Sequence, residues 1–281
     1  MDRLSVLIPS YRDPNLKKTI ERILIASKED IEIIVYLDGF LPGIELIQDN
    51  RILYIMSEDN VGMRYAINEC AKKATGKYII KFDSHCDICD GFDVQMKYDN
   101  NPKQIQIPSR YHLNIETWDK FNGPIDYVYL KFPKDIKTEF GFRTRLFKEK
   151  QERKDNPMID DIIIFQGSCW FMEKDFFYEI GGLNEKMFGS WGMEAQELSM
   201  KTWLCNDGCV VRNRNVWYAH YKKKIQKNSM RKNMLKNMNI VFNMCLNNKW
   251  PDQNKTFEWL VNKIGPFPGW PRDWNRRNKW M

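Results

Sequence analysis

Asp83 and His85 stand one residue apart at the end of the apolar run Lys77 to Asp83, and on an extended chain residues so spaced point to the same side. A carboxylate oxygen beside an imidazole nitrogen suits a divalent ion such as Mn²⁺, with Mg²⁺ the other choice. His220 closes a second strand-like run, VVRNRNVWYAHY, and is placed to add a third protein ligand while leaving positions open for a diphosphate. The plainer alternative is a hydrogen-bonded strand end. Against it, the chain has only three histidines, and two of them close strand-terminal clusters that a sheet would bring together. Glu194, in the turn Trp191-Gly192-Met193-Glu194, can orient a hydroxyl or take its proton. A carboxylate complementing the first turn of a helix explains it equally well. Cys86-X-X-Cys89 and Cys205-X₃-Cys209 make a poor zinc site, because Cys86 sits inside the Asp/His cluster and the second pair is loosely spaced. They read as small buried residues or free thiols.

The elements that must position these groups alternate along the first third of the chain. LSVLIPSY (4–11) is a short apolar strand, and NLKKTIERILIAS follows with Leu16, Ile20, Ile23 and Leu24 at helical spacing. IEIIVYLDG (31–39) and RILYIM (51–56) are further strands, and a helix over about 62–74 closes at Gly76. KYIIKFD (77–83) then runs into the charged cluster. Such β-α-β-α-β order predicts an α/β fold, a parallel sheet with helices on both faces. Ligands of such sheets sit beyond the carboxyl ends of the strands, where Asp38 and Asp83 both fall. From about 90 to 161 the pattern is irregular and predicts loops that shape an acceptor site. Order returns with DIIIFQGSCWFMEKDFFYEIGG, as strand, turn, strand and short helix, and with a helix ending at Asp207-Gly208.

With 281 residues, 43% of them apolar and 14% aromatic, the chain can bury a full core, which excludes global disorder. The opening residues MDRLSVLIPSYRD predict neither a signal peptide nor a membrane span, and a cytoplasmic protein is expected. Seven scattered cysteines, an odd number, argue against a secreted disulfide framework. The formal charge of +7 is concentrated near the end: residues 222–281 hold 14 Lys and Arg against 3 Asp and Glu, with half of the ten tryptophans. This basic, Trp-rich stretch, with a helix expected over about 229–247, suggests a polyanionic partner. Packing of that helix on the domain, with its lysines as a solvated face, is the competing expectation.

Two blocks carry a resemblance. NVGMRYAINECAKKATGKYIIKFDSHCD is similar to the run of the polypeptide N-acetylgalactosaminyltransferases that leads through Ala-Thr-Gly into their Asp-Ser-His-Cys-Glu metal motif. GSCWFMEKDFFYEIGGLNEKMFGSWGMEAQELSMKTWLCNDG resembles the segment ending in that family's Trp-Gly-Gly-Glu-Asn turn, and His220 followed by Tyr221-Lys222-Lys223-Lys224 is similar to its metal-binding His before basic residues. The likeness spans about 4–224 and implies a GT-A fold, a Rossmann-like mixed sheet flanked by helices, with a UDP-sugar as donor substrate. It implies that Asp83, His85 and His220 hold the metal, that Asp38 lies near the uracil or its ribose, and that Arg64 lies near the donor. Pro9, Tyr11, Arg12, Gly62, Ser84 and Gly167 complete the expected donor-binding set. Glu194 and Trp191 would lie beside sugar and acceptor, and Lys223 would add charge to the leaving diphosphate. Met193, Ala195 and Asp87 depart from the family pattern, the first two in the sugar and acceptor pocket.

The expected organisation is a catalytic domain over 1–221 and a basic extension over 222–281. The expected activity is transfer of a sugar from a UDP-sugar to a hydroxyl, the acceptor being a hydroxymethylated base in DNA, for instance viral DNA in a host cytoplasm. The alternatives are a protein Ser/Thr or a surface glycan as acceptor, and a non-catalytic protein that binds nucleic acid or sugar nucleotide. The resemblance implies retention of anomeric configuration, while a carboxylate base would invert it.

Overall fold

The computed structural model describes residues 2–39, 45–135, 141–223 and 228–275; Lys224 and Trp280 lie outside the described residues. In chain order the first half holds β1 (Leu4–Tyr11), α1 (Leu16–Ala26), β2 (Ile31–Asp38), β3 (Ile52–Ser57), α2 (Met63–Lys73), β4 (Tyr78–Phe82), β5 (Cys86–Ile88) and α3 (Phe92–Tyr98). The middle adds β6 (Gln104–Leu113), β7 (Lys120–Ile125), β8 (Val128–Lys131), β9 (Arg143–Leu146), α4 (Lys148–Gln151) and β10 (Ile159–Asp161). The rest is β11 (Cys169–Glu173), α5 (Lys174–Glu179), α6 (Glu185–Phe188), α7 (Glu194–Cys205), β12 (Cys209–His220), α8 (Asn228–Leu246) and α9 (Phe257–Ile264).

The main sheet runs β10-β12-β6-β11-β4-β1-β2-β3, with β5 also on β12 and β7 on β6. Strands β3, β2, β1 and β4 are parallel, as the alternation predicts. Beyond β4 the sheet is mixed, because β11 pairs antiparallel with both β4 and β6 while β6 and β12 are parallel. The chain lays β2 and β3 on one side of β1 and β4 on the other, so the carboxyl ends of β1 and β4 flank the point where strand order reverses. Such a point opens a ligand crevice.

β1 is buried through Ser10, and its side chains divide between two cores. Val6 and Ile8 pack with Leu16, Ile20 and Ile23 of α1, whereas Leu7 packs with Ala66 and Ile67 of α2. This two-sided burial explains the unbroken apolar run. The expectation of loops over 90–161 is corrected: the segment contains the ten-residue strand β6, buried at its centre in the sheet, and a separate β8-β9 ribbon. Its apolar period is broken by Gln104, Gln106 and Arg110, whose types mask a strand; Gln106 is fully buried and donates to the Met96 carbonyl.

The C-terminal segment shares the larger core. Phe242 of α8 lies against Phe132 and Phe142, and Trp270 stacks on Phe142 at 5.5 Å. Trp250 is 3% exposed and stacks on Phe188. Trp250 and Trp270 are therefore committed to packing. Trp259, 36% exposed, remains near the surface under Lys255.

Candidate active site

Asp83, His85 and His220 meet. Asp83 directly follows β4, His85 closes the turn that leads into β5, and β12 delivers His220 opposite Cys86, so two strands distant in sequence bring the three together. Their ligand atoms all lie within 4.8 Å of one another. His220 Nε2 is 3.1 Å from Asp83 Oδ2, and the two imidazoles face each other at 4.8 Å between centroids. The third histidine, His112, sits beside His220 on β6 but stacks on Phe121 outside this group.

The charges are arranged to keep the ligands ready. Burial opposes ionisation of Asp83, yet the neighbouring Lys81 ammonium and the His220 contact outweigh it and hold the carboxyl far below its usual range. Burial also lowers the pKa of His220, which favours the neutral imidazole a metal needs. Its Nδ1 is buried and finds no partner among the described residues. A carboxylate and two imidazoles fit a divalent ion of the Mn²⁺ class.

Asp13 organises the surroundings. It is nearly inaccessible, and its Oδ2 accepts from Ser84 Oγ at 2.7 Å and Lys223 Nζ at 2.6 Å and lies 2.7 Å from His85 Nδ1. Burial works against its charge, but His85 and Lys223 more than offset that and keep it ionised. The contact to Nδ1 turns the other ring nitrogen of His85 toward the ligand cluster, the usual carboxylate-histidine arrangement behind a metal. Sequence reasoning passed over Asp13 and Lys81, although both left signals. Asp13 follows β1 as Asp38 and Asp83 end their strands, and Lys81 is a charge inside an apolar strand that must find a partner there; it donates to Asp83 and to the Gly167 carbonyl.

Beside this cluster a cavity of about 410 Å³ has a polar rim of Ser10, Arg12, Asp13 and Asp38 and an apolar wall including Leu16, Leu37, Ile47 and Tyr54. Arg12 donates to the Gly39 carbonyl at 2.9 Å and lies over the Tyr11 ring. Asp38 takes the amides of Val61 at 2.6 Å and Gly62 at 3.0 Å on its two oxygens, so it shapes the loop before α2 as well as the rim. Gly62 has φ +96° and a Cβ there would stand 2.4 Å from Ser190 Cβ, so only glycine fits. Pro9 is buried within the sheet, away from the cavity lining.

Arg64 is fully buried and bonds Glu194 at 3.0 Å, Glu197 at 3.2 Å and the Gly192 carbonyl at 2.7 Å. It braces the Trp191–Glu194 turn. Glu194 opens α7, with its Oε1 occupied by Arg64 and by the Gly192 amide at 2.6 Å. Both readings of Glu194 therefore stay physically compatible: Oε1 is structural, and Oε2 has no hydrogen bond among the described residues. The backbone of Trp191 is held by Asn233 and Asn237 of α8, so the C-terminal helix helps to set this turn. The seven cysteines are free thiols.

The glycosyl transferase family 2 model matches residues 5–181. The chain belongs to that family. Among relatives of this family 2 chain, polypeptide N-acetylgalactosaminyltransferase 5 of Caenorhabditis elegans is 23% identical over 224 residues, 77% of this chain and 34% of the relative. Polypeptide N-acetylgalactosaminyltransferase 3 of Homo sapiens is 27% identical over 139 residues, 48% of this chain and 22% of its own length. This family 2 chain thus spans less than half the length of these curated relatives. The crystal structure of GalNAc-T7 with UDP, GalNAc and Mn2+ superposes with a TM-score of 0.69 at 16% identity, covering 94% of this chain and 56% of that one. The fold is GT-A.

Proposed function

We propose that the chain is a metal-dependent glycosyltransferase that moves a sugar from a UDP-sugar to an acceptor hydroxyl. The observation that carries this reading is the convergence of Asp83, His85 and His220 at strand ends beside a cavity with a polar rim and an apolar wall. Asp83, His85 and His220 would hold the divalent ion. When bound, it supplies positive charge that neutralises a diphosphate leaving group. Asp13 orients His85, and its contact with Lys223 keeps an ammonium at the same place, where it adds to that neutralisation. The cavity between Ser10 and Tyr54 takes the nucleoside, its apolar wall against the base and Asp38 or Arg12 toward the ribose. Glu194, braced by Arg64, offers Oε2 to a sugar or acceptor hydroxyl. In the reaction the donor C–O bond breaks, nucleoside diphosphate departs, and the acceptor oxygen forms the new C–O bond as its proton passes to the departing diphosphate.

For the acceptor we propose a hydroxymethylated base in DNA, supported by the basic balance of the C-terminal segment. A protein Ser/Thr is the second reading, favoured by the names of the relatives. Incubation with UDP-glucose, UDP-N-acetylglucosamine or UDP-N-acetylgalactosamine, Mn²⁺, and either hydroxymethylated DNA or Ser/Thr peptides, followed by mass spectrometry, separates the two. Metal-dependent release of UDP that disappears in Asp83→Ala is the expected result. Absence of UDP release sinks the enzymatic reading and leaves a binding protein, while release insensitive to chelator and unaffected in that variant sinks the metal assignment.

A further inference from the structure

The β8-β9 ribbon carries a concentration of positive charge. In its register Lys131 lies directly opposite Arg143, and Tyr129 opposite Arg145. Paired residues share a face, so Lys131, Arg143 and Arg145 project together, and like charges opposed across a ribbon repel. Among the described residues no carboxylate forms an ion pair with Lys131, Arg143, Arg145 or Lys148, whereas the nearby Lys150 and Arg153 are both paired to Asp160. Tyr129, Lys131, Arg145 and Lys148 line an open cavity of about 350 Å³, in which Glu149 is the single acidic residue. Tyr129 is its rigid floor, stacked on Phe267 at 5.9 Å with the rings nearly parallel.

The ribbon is tied to the active-site frame. Thr144 accepts from Gln196 Nε2 at 3.1 Å, and Gln196 is on the first turn of α7, which Glu194 opens. A β-bridge joins Val128 to Ile164, three residues before the Gly167 that receives Lys81. A ligand on this face is thus held in fixed relation to the metal cluster.

We infer that the face formed by Lys131, Arg143, Arg145 and Lys148 binds the phosphodiester backbone of a nucleic-acid acceptor. The inference rests on the proposed transfer to DNA and names the surface that would hold it. Guanidinium forks fit phosphate oxygens in pairs, and a nucleic acid brings a charge at every nucleotide, which relieves the repulsion within the ribbon. The site is set by the ribbon rather than by the longer basic tail, of which Trp250 and Trp270 are spent on packing.

The test is fluorescence anisotropy with a labelled DNA oligonucleotide across a salt series, using the full chain. The ribbon variant K131Q/R143Q/R145Q is expected to bind at least about 10-fold more weakly at low salt, with the slope of log K against log salt reduced by roughly 2–3. The charge-preserving R143K/R145K should keep most of the slope, and the α8 surface variant R231Q/K232Q/K236Q should shift it less than the ribbon variant does. Metal-dependent UDP-sugar hydrolysis should be unchanged in all three, which also reports correct folding. A wild-type chain that ignores DNA at low salt, an unchanged slope in the ribbon variant, or a loss confined to the α8 variant overturns the inference. So does equal displacement of DNA by polyglutamate of matching charge. If DNA binding is lost in the ribbon variant while no variant or wild type turns over UDP-sugar, the ribbon assignment stands and the transferase proposal fails.

Discussion

The strand ends around Asp83 and the aromatic C-terminal half use similar residue types to opposite purposes. Around the strand ends, charged side chains are paired with one another, Lys81 with Asp83 and Asp13 with His85 and Lys223, and beside them Arg64 of α2 is paired with Glu194 and Glu197 of α7. In the C-terminal region, Phe142, Phe242 and Trp270 form an aromatic cluster with Phe132, and Arg231, Lys232 and Lys236 of α8 are left on the outside. Composition alone made the end of the second region look like a surface for a polyanionic partner. Burial shows it to be a core that supports the first, since Asn233 and Asn237 of α8 hold the Trp191 turn in place.

This contrast can be broken most sharply at Asp83. Asp83→Ala should reduce metal-dependent UDP release by about 10²–10³-fold or more and remove the rise in melting temperature with Mn²⁺ and UDP. A variant that keeps both would place the chemistry elsewhere. In the aromatic half the loss should be one of stability: Phe242→Ala, emptying a buried ring site, should cost about 3–5 kcal/mol in denaturant unfolding with little change in Mn²⁺ affinity per folded molecule. A loss of Mn²⁺ affinity with unchanged stability would reverse the assignment of the two regions. Asp13→Asn separates ligand from support within the site. It should weaken Mn²⁺ binding by about 10–100-fold, measured by calorimetry, while leaving the fold intact.

The smallest effect tests whether buried charge away from the site is merely structural. Glu32 accepts from Ser5 Oγ and the Thr75 amide, both at 2.6 Å, and from the Gly76 amide at 3.2 Å. Burial opposes its charge, but these donors hold its pKa below the usual 4.5. A depressed carboxylate contributes stability above its unfolded pKa and loses it as pH falls, so this contribution should fade below about pH 4.5. Glu32→Gln should cost about 1–2 kcal/mol at neutral pH and flatten that part of the pH profile, with UDP release unaffected.

Much of the first region was legible in the chain. The strand of residues 4–11 and the helix before Gly76 followed from apolar period and glycine placement, because the central parallel strands are buried on both faces and admit little else. The Asp83 and His85 pair was visible for the same reason: a charge ending a buried strand has to face a ligand or a partner. β6 was hidden, since its buried Gln106 and half-buried Arg110 break the alternation that marks a strand. Asp13 was passed over because its place after a strand, a signal it shares with Asp38 and Asp83, does not name the His85 and Lys223 it meets.

The amino-acid sequence by itself determined the strand-helix alternation, the family motifs and the excess of positive charge near the end, all of which depend on residues close to one another in the chain. Only the tertiary structure decided that Lys223 reaches Asp13 across 210 residues, and that Trp250 and Trp270 are packed rather than offered. Those outcomes depend on which strands pair and which faces are covered, and no local pattern carries that information.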